Sequence, residues 1–95
     1  MTLEELRAKY TEDDLAGNPN LSTWAEMDES GDTKLIWDRT KPDEVEVARE
    51  MFAKLKKKNY VAFRVGTAGE QLPEQIREFD PDVERMIMVP QMRGG

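Results

Sequence analysis

From Thr40 to Asn59 the apolar residues fall at Val45, Ala48, Met51, Phe52 and Leu55. That is the period of a helix with one buried face, and it predicts an amphipathic helix over Pro42–Lys58. Thr40 is placed to cap it, Pro42 falls in its first turn, and Asp43 completes a capping-box-like spacing with Thr40. Asn59 can adopt the left-handed conformation that stops it. The period then changes to two. Val61, Phe63 and Val65 alternate with Ala62 and Arg64, which predicts a strand over Tyr60–Val65 with one buried face. Arg85–Val89 is a nearly continuous apolar run bounded by Pro90, the pattern of a well-buried strand. Upstream, Trp24–Met27 and Thr33–Trp37 flank the polar stretch Asp28–Asp32 and predict a β-hairpin, although Ala25 and Glu26 are poor strand formers. Gly66–Pro73 reads as a loop, and Gln75–Phe79 as a short strand turned by Asp80-Pro81-Asp82. The predicted core joins Val45, Ala48, Phe52 and Leu55 of the helix to Val61, Phe63, Ile87 and Val89 of the sheet.

Before the hairpin, Leu3, Leu6, Tyr10 and Leu15 can share one side of a helix that Gly17-Asn18-Pro19-Asn20 ends abruptly. Residues 1–21 are therefore read as an N-terminal arm or short helix, either docked on something or mobile in the free chain, and the later elements are expected to fold without it. Residues 22–90 form a single domain and residues 91–95 a flexible tail. The fold class is α+β: a small mixed or antiparallel sheet packed on one amphipathic helix, in the order ββαβββ.

Ninety-five residues suit one domain with a modest core and little room for a deep cleft. Hydrophobic residues make up 38% and charged residues 36% of the chain, the balance of a folded domain with a heavily solvated surface. There is no cysteine and no histidine. Disulfides and thiolate chemistry are thereby excluded, and the commonest general base and transition-metal ligand are missing. The net charge of −6 is uneven: residues 1–50 carry 14 acids and 6 bases, residues 51–95 carry 6 acids and 8 bases. An acidic whole argues against nucleic acid as a partner, because that affinity rests on neutralising phosphates. The run Lys54, Lys56, Lys57, Lys58 sits at the expected helix end, where cations complement the helix dipole. No apolar stretch approaches the roughly 18–20 residues of a membrane span. The first residues lack a basic segment followed by an apolar one, so no signal peptide is read there and the expected location is cytoplasmic.

Candidate chemistry is sparse. Asp28–Asp32 superficially resembles a calcium loop, but its glycine comes fourth instead of sixth, and Arg39 stands where the closing glutamate belongs. Gly66 and Gly69 lack the lysine and following helix of a phosphate-cradling loop. Asp80 with Asp82, and Glu78 with Glu84, read as turn and surface carboxylates without a cleft in which acid–base roles would diverge. Met27, Met51, Met86 and Met88 fall within predicted elements and read as core. Met92 follows Pro90 in the tail, where an apolar residue marks a contact with another protein. The expectation is a protein that is not an enzyme and holds no cofactor or metal.

The tail Pro90-Gln91-Met92-Arg93-Gly94-Gly95 carries the one sharp motif. Two glycines without side chains let an extended tail thread a narrow channel and bring its carboxylate to a nucleotide. Element order and tail together resemble the β-grasp ubiquitin-like superfamily, including the sulfur carriers of molybdopterin and thiamine synthesis. There a hairpin leads into a helix across the sheet, and the last strand runs into Gly-Gly. Arg93-Gly94-Gly95 is similar to the end of ubiquitin, and the proline six residues from the end to the sulfur carriers; Met1–Leu21 has no counterpart. The resemblance implies a carrier or modifier whose Gly94-Gly95 terminus is adenylated by an activating enzyme, then takes sulfur or forms an amide. Met92, Arg93 and the hydrophobic edge of the last strand would dock the partner. The alternative is a structural or adaptor protein of a viral particle or other large assembly, meeting its neighbours through Leu3, Leu6 and Tyr10 of the arm.

Overall fold

Five strands and three helices make up the computed structural model, which describes residues 1–28, 31–66 and 70–91. Two short helices come first, α1 (Leu3–Lys9) and α2 (Glu12–Gly17), where the sequence pattern suggested one. Thr11 divides them: it stands outside the helical conformation, caps α2, and forms a capping box with Asp14. The strands β1 (Leu21–Asp28) and β2 (Gly31–Asp38) then pair antiparallel from Leu21 opposite Asp38 to Asp28 opposite Gly31. Helix α3 (Pro42–Lys57) crosses to β3 (Tyr60–Val65), β4 (Gln71–Ile76) and β5 (Arg85–Pro90).

The sheet order is β2-β1-β5-β3-β4, so β5 occupies the centre. It runs parallel to β1 and antiparallel to β3, and the mixed sheet packs on α3 in the β-grasp-like ββαβββ order. α3 ends as expected: Asn59 takes φ 67°, the left-handed conformation tolerated by asparagine. Its start differs. The cap residue is Lys41, which makes no side-chain cap, while the hydroxyl of Thr40 donates to Asp38 Oδ1 at 2.6 Å. Asp38, two residues back, competes successfully for Thr40 and ties it into the turn that ends β2.

The predicted core is correct on the helix and inverted on two strands. Ala48, Phe52 and Leu55 are buried and Val45 packs against them. From β3 and β5, however, the buried residues are Ala62, Met86 and Met88. Register explains why. Trp24 stands opposite Leu35 and Met86, and Met88 opposite Ala62, so these residues share the face that carries the buried tryptophan. Alternation reveals that a strand has two faces but not which one meets the helix. Trp24, Trp37, Phe52 and Phe79 already crowd the interior, with ring centroids 5.3–6.4 Å apart, and the one residue that β3 buries fully is the small Ala62. Phe79 had been expected inside a strand over Gln75–Phe79. It lies beyond β4, which starts earlier and includes Pro73, an imide that an edge strand tolerates.

The N-terminal arm closes the same core. Leu6 is 1% exposed and joins the cluster around Trp24 and Leu35, while Leu3 and Tyr10 pack against it. No helix among the described residues is long and apolar enough to cross a membrane.

Candidate protein-binding face

The strand parity that buries Ala62 and Met88 turns Val61, Phe63, Val65, Ile87 and Val89 away from α3. These five are partly exposed. The rows are set by pairing: Ala25, Ile87, Phe63 and Gln75 lie side by side across four strands, and Val89 lies beside Val61. Met27, at 39% exposure, belongs to the same face of β1. Along β1, β5, β3 and the paired residue Gln75 of β4, the only charged side chain on this face is Arg85. In a chain that is 36% charged with a net charge of −6, this central part of the face is poor in charge, and the charged groups Lys34 and Asp38 of β2 lie to one side of it. The sequence reading named most of these residues but placed them in the core; Arg85 and Leu15 as surface groups were missed. A charged residue at the head of an apolar strand is the only signal for Arg85.

Helix α2 lies along part of this face. Its Glu12 is ion-paired with Lys34 of β2, and Leu15 points toward β1 and β5. Between α2 and the sheet is a groove of about 230 Å³ lined by Glu12, Leu15, Ala25, Val65, Arg85 and Ile87. A second hollow of about 250 Å³ shares Leu15 and Arg85 and continues to Pro19 and Glu84. At the other end, β5 delivers the chain to Gln91, whose N–H donates to Asn59 O at 2.8 Å and fixes the root of the tail. Met92, Arg93, Gly94 and Gly95 lie outside the described residues, as does Gly69.

The arm is held to the body by charge. Arg7 donates to Glu26 Oε2 at 2.9 Å and to the Lys34 carbonyl at 2.9 Å. Glu44 on α3 is fully buried and collects three donors: Lys9 Nζ at 2.6 Å, the Tyr10 hydroxyl at 3.0 Å and the Asp38 N–H at 2.9 Å. Both buried glutamates of the body are thus matched by cations of α1. The hydrogen bond to Glu44 holds the Lys9 ammonium above its ordinary pKa. Burial, with the same carboxylate beside it, pushes the Tyr10 phenol up to about 12. The Thr40 hydroxyl keeps Asp38 below the usual carboxylate range. Leu3, Leu6 and Tyr10, the arm residues singled out as partner contacts, are therefore engaged with this chain's own core and with Glu44. Asp80 accepts from the Asp82 N–H at 2.9 Å, as a turn residue does. Among the described residues no group of three or more acids is arranged to hold a metal. Comparison with family models, with curated protein sequences and with solved structures finds no match.

Proposed function

We propose that the chain is a ubiquitin-like carrier or modifier without catalytic chemistry of its own. Its Gly95 carboxylate is adenylated by a partner enzyme that docks on the outward face of β5 and β3. The observation that carries this reading is the nearly charge-free face made by Ala25, Val61, Phe63, Ile87 and Val89, whose central strand leads directly to the tail. Apolar surface rimmed by polar residues is what a protein partner covers. The β-grasp-like strand order supports it, since β5 at the centre is paired on both sides and holds the tail root at Gln91 firmly. The rival reading, an assembly component that meets its neighbours through the arm, draws less support: Leu6 is already buried in the chain's own core.

The test is intact-mass analysis after incubation with ATP and extract of the source cells. An ATP-dependent adenylate, thiocarboxylate or conjugate is expected, and deletion of Gly95 or one appended residue abolishes it without moving the melting temperature. An unmodified mass under every condition would remove the carrier reading.

A further inference from the structure

We infer that the groove between α2 and the sheet is a docking site for a partner polypeptide presenting one large apolar side chain with a carboxylate close beside it. The inference deepens the protein-binding reading of the outward face and rests on it. Three observations on the groove converge. Its volume, about 230 Å³, is below the roughly 300–1,000 Å³ of sites for whole small molecules, and suits a single inserted side chain. Its lining is mainly apolar, with Leu15, Ala25, Val65 and Ile87, and its polar groups include the ion-paired Glu12 and Lys34 besides Arg85. Arg85 lines it with no carboxylate within 4.0 Å among the described residues, whereas Lys34, also in the lining, is already paired with Glu12. An occupant with an acid next to its apolar anchor satisfies both features; a basic occupant meets Arg85 as a like charge. The groove exists only because α2 lies over the sheet, so its specificity belongs to the N-terminal arm and not to the strand order.

The experiment selects a phage-displayed random dodecapeptide library on the immobilised full chain, then titrates enriched synthetic peptides into the ¹⁵N-labelled protein. Enriched sequences are expected to place Asp or Glu within about three positions of a Leu, Met or Phe, an i,i+3 reach on one side of a peptide. Amide shifts should concentrate at Leu15, Ala25, Val65 and Ile87. Arg85→Glu should weaken binding roughly tenfold, about 1.4 kcal/mol, and a peptide with its acid changed to Lys should recover on that variant. Leu15→Ala, checked by its melting curve, should weaken binding as well. Enriched peptides without an acid, binding indifferent to Arg85→Glu, or no enrichment at all would each overturn the inference. Shifts confined to Val61, Phe63 and Val89 overturn the groove while leaving the docking face intact; peptides that shift no residue of the outward face overturn both.

Discussion

Glu44 is tolerated inside the protein because the arm supplies its partners. A buried carboxylate that loses its donors costs several kcal/mol, so its fate is tied to Lys9 and Tyr10. Glu44→Gln should lower stability by about 1–3 kcal/mol, read from urea midpoints. Tyr10 adds a pH dependence. Its phenol titrates near 12 in the folded chain against an ordinary value of 10, so the folded state favours the neutral form. That contribution is complete below pH 10 and is lost as pH rises from 10 toward 12; the raised Lys9 acts in the same direction. Tyr10→Phe should flatten the alkaline loss in urea midpoints measured across that window. An unchanged slope would show that Tyr10 does not set it. Asp38 acts at the opposite extreme: its depressed pKa gives stability above the usual carboxylate range, lost as acid protonates it. In the interior, Phe52→Ala removes a ring that touches both Trp24 and Phe79 and should cost about 3–5 kcal/mol, seen as a lower melting temperature.

Among the elements, the arm is the one whose removal is most informative. Deleting residues 1–20 takes away Leu6 and uncovers the side of the core around Trp24 and Leu35. The loss of Leu6 alone, as Leu6→Ala, should cost about 2–5 kcal/mol. The full deletion should cost more, and the truncated chain should show weakened protection of β1 and β2 amides in hydrogen exchange. Full protection in the truncated chain would mean that the arm merely rests on the surface. The sequence made α3 legible because five apolar positions at helical spacing are bounded by Pro42 and Asn59. It made β3 and β5 legible as strands, but not their orientation, since Val61 and Phe63 are bulkier than the Ala62 that is buried. That choice is made by register with Trp24, a long-range fact absent from local alternation. β4 was shifted because Pro73 reads as a loop residue, and only its edge position makes it acceptable. The candidate face was consequently visible as residues and invisible as a surface. The groove beside Leu15 depended on where α2 docks, which no local pattern encodes.

At the scale of the whole molecule, charge is sorted. The arm and α3 are rich in acids, whereas along β1, β5 and β3 the outward face carries only Arg85 as a charged residue. Replacing Phe63 by Glu should leave the melting temperature within a few degrees, because its side chain lies outside the core, and should sharply reduce ATP-dependent modification in extract. Equal modification would place the docking surface elsewhere. The central position of β5 has a consequence for how the chain comes together. β1 and β3 border a gap that only β5 fills, and the pairing of Thr23 with Arg85 spans most of the chain. Such distant pairings are slow to form, because the loop must close before the contacts reward it. Until β5 arrives, β1 and β3 each present an open edge to any neighbouring chain, the geometry from which strands aggregate. Synthesis therefore delivers the strand that seals both edges last, and crowding of half-made chains, more than heat, is the hazard this topology has to survive.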